Sequence, residues 1–279
     1  MHFIAITDHN QLTGPPETGV VDGLLVLPGS EFSGSIPRGV GGACHLHVNG
    51  IGVDRALAPA ATYSDIVAGL RDGVAQARAA GGLAMINHPN WHWAFDHRAM
   101  LAVEGWHGFE LWNGSRTCNN DGDAEHPATE VMWDAMLTAG RRCLGLATDD
   151  AHHLSRQKLF NDAAFSGWIG VWAEALETQA ILTAIRAGHF YAANGPRLER
   201  LELAADRIAI SLQPWDQTTH TIELIGPGGR VLERCEGHTA TWTPPPDAAY
   251  VRIRVRNTQL GRLWTQPMFR GDRELVLGA

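Results

Sequence analysis

The stretch Ser64-Asp-Ile-Val-Ala-Gly-Leu-Arg-Asp-Gly-Val-Ala-Gln-Ala-Arg-Ala-Ala-Gly-Gly-Leu-Ala-Met-Ile-Asn-His-Pro89 decides the reading of the fold. Ser64 can cap a helix whose one face carries Ile66, Val67, Leu70, Val74 and Ala77, and Gly81-Gly82 can end it. Leu83-Ala-Met-Ile86 then reads as a buried strand, and it delivers His88 just beyond its end.

Outward from that unit the same texture recurs. Phe3-Ile-Ala-Ile6 leads to Thr7-Asp8-His9, Gly23-Leu-Leu-Val-Leu27 to Gly29-Ser30-Glu31, and Cys143-Leu-Gly-Leu-Ala147 to Asp149, Asp150 and His152. Gly108-Phe-Glu-Leu-Trp-Asn113 is a further strand, helices are expected around 131–139 and 174–187, and Gly188-His-Phe-Tyr-Ala192 closes the series. Strands alternating with helices predict an α/β domain, mostly parallel and closed as a barrel, over residues 1–196. Asn194-Gly195-Pro196 breaks the pattern. Beyond it, Leu201-Glu-Leu, Ile208 to Leu212, Thr221 to Ile225 and Tyr250 to Arg256 alternate between Pro- and Gly-rich turns, which predicts a small antiparallel β module over 197–279. Arg252, Arg254 and Arg256 would lie on the solvated face of one of its strands.

The chain of 279 residues, 44% hydrophobic, is long enough to bury a sizeable core. Its 22 Lys+Arg against 30 Asp+Glu give a net charge of −8, with Lys158 the single lysine, so no nucleic-acid partner is expected. Cys44, Cys118, Cys143 and Cys235 are scattered without Cys-x-x-Cys spacing, which argues against a thiolate zinc site or a disulfide scaffold. No apolar run reaches the roughly 20 residues a spanning helix needs, so no membrane partner is expected. The chain as written is expected to be cytoplasmic, with an export signal upstream of Met1 left open.

Histidine nitrogen and carboxylate oxygen at strand ends suit Zn, Mn or Fe. The candidate ligands are Asp8, His9, Glu31, His47, His88, Asp150 and His152. Asp8 precedes a turn and has the alternative of serving the backbone. His45 and His47 share one strand face and compete for one position. Asp149 and His153 are the register-shifted alternatives to Asp150 and His152. His45, Glu110, Asn113 and His189 are candidates for the pocket lining, and Trp91, Trp93 and Trp112 could wall a hydrophobic pocket or simply pack.

Ile6-Thr-Asp-His9, Gly29-Ser-Glu31, Asn87-His-Pro89 and Asp150-Ala-His152, in this order, resemble successive motifs of the PHP (polymerase and histidinol phosphatase) superfamily. His47-Val-Asn-Gly, Phe109 to Gly114, Gly188 to Pro196 and Leu263-Trp-Thr-Gln-Pro267 are similar to its CehA/McbA-type branch. The resemblance implies a distorted seven-stranded (β/α) TIM-like barrel with two or three divalent ions, Mn, Fe or Zn, at its mouth. It favours His47 over His45. Family members begin with a His-x-His strand that has no counterpart before Asp8 here, which implies an open barrel edge and a reduced number of ions.

The function expected is a metal-dependent phosphoesterase acting on a small-molecule phosphate ester through a metal-activated water, with Glu31, His9, His88 and Asp150 as the catalytic set. The same site could serve a carboxyl-ester or carbamate hydrolase, and a degenerate binding protein is the non-catalytic alternative. No Gly-x-Ser-x-Gly elbow or Gly-x-x-x-x-Gly-Lys loop competes with this reading. The sequence does not indicate an oligomeric state.

Overall fold

The computed structural model describes residues 1–14, 19–39, 42–60, 62–152, 164–214 and 218–278. Its strands are β1 (Phe3–Ala5), β2 (Val20–Val21), β3 (Leu24–Leu27), β4 (Gly29–Arg38), β5 (Gly42–Ile51), β6 (Leu83–Ile86), β7 (Gly108–Asn113), β8 (Leu144–Thr148), β9 (Trp168–Val171) and β10 (Phe190–Ala193). Later in the chain come β11 (Leu198–Leu203), β12 (Ile208–Leu212), β13 (His220–Gly226), β14 (Arg230–Glu236), β15 (Thr239–Trp242), β16 (Tyr250–Asn257), β17 (Arg262–Thr265), β18 (Met268–Phe269) and β19 (Leu275–Leu277). The α-helices are α1 (Ile66–Ala79), α2 (His97–Leu101), α3 (Thr129–Thr138) and α4 (Thr178–Arg186).

The seven-stranded (β/α) barrel expected from the sequence is not formed. Nineteen strands against four α-helices among the described residues, laid out in several separate sheets, make this a mainly β protein. Among the described residues the alternation of strand and helix fails from the outset, since β1 to β5 all precede α1, and it fails most plainly at β4 and β5. Where a barrel needs a crossover helix, these two ten-residue strands pair directly and antiparallel, from Gly29↔Ile51 to Arg38↔Gly42. β6 then adds antiparallel to β5, and only at β6–β7 does the pairing turn parallel.

The chain divides into two compact units. The first comprises Met1–Glu110, Thr117–Met132 and Ala173–Ala187. In it, β1 and β2 flank β3, β1 parallel and β2 antiparallel, while β4, β5, β6 and β7 form a second sheet in that order. α1 begins at Asp65, not Ser64: the Asp65 carboxylate accepts from the Ala68 N–H at 2.8 Å. The helix buries Gly69, Leu70, Gly73, Val74 and Ala77. After its last turn, Gly81 adopts φ +79°, and its N–H and that of Gly82 bond back to the carbonyls of Arg78 and Ala77. Phe32, Leu46, Val48, Ile86 and Phe109, all fully buried, are further members of this unit's core.

The second unit comprises Leu111–Arg116, Trp133–Trp172 and Gly188–Ala279. Every described strand or α-helix from Leu198 onward is a β-strand, in line with the alternation read there. One sheet runs β14-β13-β16-β17-β10-β9 and the other β15-β12-β11-β19. Their inward residues, among them Leu201, Ile210, Leu224, Ile253 and Leu263, form one core. The arginine face expected to be solvated is partly covered. Arg252 is fully buried, pairing with Asp134 at 2.6 Å and lying over the Trp133 ring, and Arg254 pairs with the buried Glu223 at 2.7 Å. Only Arg256 is exposed. A period of two reports a face, and it cannot say whether that face meets water or a helix.

Candidate metal centre

Strand pairing in the first unit brings four of the expected ligands together. The chain leaving β1 forms a parallel bridge between His9 and Glu31, in which the Glu31 N–H donates to the Asp8 carbonyl at 3.0 Å and the Asn10 N–H to the Glu31 carbonyl at 2.7 Å. The bridge sets His9 Nδ1 2.8 Å from Glu31 Oε2. On the β4–β5 ladder His47 stands opposite Ser33, two residues from Glu31 and therefore on the same face. Its Nδ1 lies 3.1 Å from Glu31 Oε1. His88, just past β6, brings Nε2 to 3.7 Å from the same oxygen and 3.3 Å from His47 Nδ1. One ligand atom each from His9, Glu31 and His47 lies within 4.8 Å of the other two.

Glu31, His47 and His88 are buried, whereas the His9 side chain is half exposed, so the group opens to solvent on one side. Burial opposes ionisation of Glu31, but hydrogen bonds from His47, His88 and His9 outweigh it and hold the carboxyl well below the usual carboxylate range. Asn87 adds a buried hydrogen bond, Nδ2 to Glu31 Oε1 at 2.7 Å. Burial pushes the His47 imidazole below its ordinary value in spite of the pull of Glu31. Carboxylate and neutral imidazole are the metal-ligating forms of both groups at neutral pH.

The backbone around these residues is strained where it turns. His88 takes φ +21°, Asn10 +55°, His92 +51° and Trp93 +53°, left-handed values that cost an L-residue about 1–2 kcal/mol each. At His88 the strain is offset by Glu110, whose buried carboxylate accepts the His88 N–H at 2.7 Å. At Trp93 and His92 it is Arg38 that holds the turn, donating to their carbonyls at 3.0 and 3.2 Å. The turn lays Trp91 beside four imidazoles, 4.6 Å from the His45 ring, 4.7 Å from His92, 5.2 Å from His88 and 5.5 Å from His47.

The remaining candidates have partners of their own. Asp8 is exposed and accepts from the Thr13 hydroxyl, which is the turn-serving alternative. His45 packs on Trp91 and His92, and burial followed by its histidine neighbours lowers its pKa. In the second unit, Asn113 Nδ2 donates to Asp150 Oδ2 at 3.1 Å, and His152 Nδ1 lies 2.8 Å from the Asp150 carbonyl and 3.7 Å from its Oδ1. Asp150 is at φ +49°. Asp149 accepts the Phe165 N–H at 3.0 Å, and the His189 carbonyl accepts the Trp172 N–H at 2.9 Å. His153 lies outside the described residues.

Asn87 and Ser33, whose hydroxyl meets His9 Nδ1, are the partners that sequence reading did not single out. The register that puts Ser33 against His47 is a long-range property, and Asn87 stands in the sequence only as the neighbour of the candidate ligand His88. Donor atoms sharing one ion at about 2.0–2.2 Å stand roughly 3–3.5 Å apart. His47 Nδ1 at 3.1 Å from Glu31 Oε1 falls in that range and His9 Nδ1 at 2.8 Å from Glu31 Oε2 lies just under it, and two imidazoles with an ionised carboxylate suit a borderline divalent ion such as Zn, Mn or Fe. Compared with known proteins, the chain matches no family model, no curated protein and no solved structure.

Proposed function

We propose that this chain is a metal-dependent hydrolase that cleaves a phosphate ester by attack of water. The observation that carries the proposal is the buried, ionised Glu31 held between His9, His47 and His88. His9, Glu31 and His47 would hold a divalent ion, with His88 at its edge. A bound ion supplies Lewis acidity, which lowers the pKa of water and offsets charge building on the attacked centre. Asn87 fixes the carboxylate orientation through Oε1, and Glu110 fixes the turn that presents His88. The half-exposed His9 leaves substrate an approach, while Trp91 shields the His47 and His88 side from water. The resemblance of the motif order to the PHP superfamily supports the reading at the level of side chains.

The indole of Trp91 against the donor set also favours a carboxyl-ester or carbamate substrate with a flat apolar group, since such a wall binds carbon skeletons better than phosphate. Elemental mass spectrometry on chain purified without chelator, with hydrolysis assays on nitrophenyl phosphate, bis(nitrophenyl) phosphate and nitrophenyl acetate, tests both. We expect at least one Mn, Fe or Zn ion per chain and phosphate-ester cleavage, with Glu31→Gln losing the ion and the activity while its circular dichroism is unchanged. Cleavage of the acetate alone selects the second substrate class. Protein that takes up no ion, or Glu31→Gln with full activity, overturns the proposal.

A further inference from the structure

The second unit holds a histidine pair of its own. His220 opens β13 and is 1% exposed, and His238 lies between β14 and β15. The two are brought together by backbone: the His220 carbonyl accepts the Gly237 N–H at 2.9 Å, and the His238 carbonyl accepts the Leu212 N–H at 2.9 Å. Their rings meet edge to face, centroids 5.0 Å apart and planes at 84°. Both ring nitrogens of His220 and Nδ1 of His238 are buried with no hydrogen-bond partner among the described residues. Directly across the β13–β16 ladder, Asn257 uses its Oδ1 on the N–H groups of Gln259 and Gly261, and its Nδ2 is likewise buried without a partner.

A neutral imidazole carries one donor and one acceptor, and buried polar atoms in folded proteins are satisfied almost without exception. Four such atoms gathered at one corner of a β module therefore point to a ligand. Spacing indicates its class. Two imidazoles bound to one ion at about 2.0–2.1 Å, at angles from a right angle to tetrahedral, place their ring centroids about 4.6–5.3 Å apart. The observed 5.0 Å falls inside that range.

We propose that His220 and His238 form a second metal site, one that takes a borderline divalent transition ion of the Zn2+ or Cu2+ class through two imidazoles. The ion would pin the connection between β14 and β15 to the start of β13, a structural role independent of hydrolysis. The Asn257 amide would donate to whatever small oxygen ligand completes the coordination.

The test uses the full chain in the Glu31→Gln background, so that the His9, Glu31 and His47 group does not contribute, with Zn2+ alone as the probe. Equilibrium dialysis should find one Zn2+ per chain. Adding His238→Gln should weaken that uptake at least tenfold while the melting temperature in chelator stays the same. A Glu31→Gln chain that binds no Zn2+, or binds it equally well with His238→Gln, overturns the proposal. Should the double variant fail to fold, histidine ring NMR on Glu31→Gln alone decides: Zn2+ must shift the His220 and His238 ring signals, and unmoved signals overturn the site.

Discussion

At the scale of single residues, the candidate centre depends on a carboxylate kept ionised inside the protein. Asn87 is the uncharged part of that arrangement, donating to Glu31 Oε1 at 2.7 Å while its own Oδ1 accepts the Asn49 N–H at 3.3 Å. A buried hydrogen bond to a charged acceptor contributes about 1.5–3 kcal/mol, more than most neutral ones. Asn87→Leu should therefore destabilise the chain by about 2 kcal/mol in urea unfolding and weaken Zn2+ binding about tenfold. A variant that unfolds at the wild-type midpoint would remove Asn87 from this role. The convergence of His9, Glu31 and His88 was legible because each stands at or just past an apolar run, where a strand delivers it. Spacing left the choice between His45 and His47 open, because both share one face, and only the family resemblance favoured His47; it is the pairing of His47 with Ser33 that brings His47 to Glu31.

Elements show where local signals suffice and where they stop. α1 was readable from its 3.6-residue period, which depends on neighbours in sequence alone, though the cap moved by one residue to Asp65. Its close seating on the sheet rests on two glycines. A Cβ at Gly73 would stand 2.8 Å from Phe32 Cδ1 and 2.9 Å from Val48 Cγ2, and one at Gly69 only 2.3 Å from Leu46 Cδ1. Alanine raises intrinsic helix propensity by about 1 kcal/mol, but overpacking a tight core costs about 1–3 kcal/mol. Gly73→Ala is expected to lower stability by about 1–2 kcal/mol, because the ring it meets is fully buried and cannot swing aside. Thermal unfolding checks this, and a rise in melting temperature would show that propensity wins. The β4–β5 hairpin was not read, since two strands joined antiparallel and two joined through a helix differ in which distant residues pair.

At the scale of the whole molecule, the barrel expectation failed because a ligand residue says nothing of how its strand pairs: Glu31 and His47 lie within β4 and β5, which join directly and antiparallel. The alternating texture after residue 197 was a sounder guide, and it located strands whose polar face then proved partly buried. Glu223 shows the consequence for stability. On β13 it stands directly opposite Arg234 of β14 and Arg254 of β16, with carboxylate contacts to both guanidinium groups. Burial raises the pKa of its carboxyl, but the two arginines outweigh that and hold it below the ordinary value. A folded-state pKa below the unfolded one means that the unfolded chain binds the proton first. The stabilisation is thus complete above the unfolded carboxylate value of about 4.3 and is lost as pH falls through the folded value. Glu223→Gln should cost about 1–3 kcal/mol at pH 7 and flatten the acid limb of the stability curve. Arg254 is 12% exposed and Arg234 60%, so Arg254→Ala should cost more than Arg234→Ala, whose pair is screened by water. Urea unfolding from pH 7 down to pH 3 decides the matter: an acid limb as steep in Glu223→Gln as in the wild type would mean that other carboxylates govern acid unfolding.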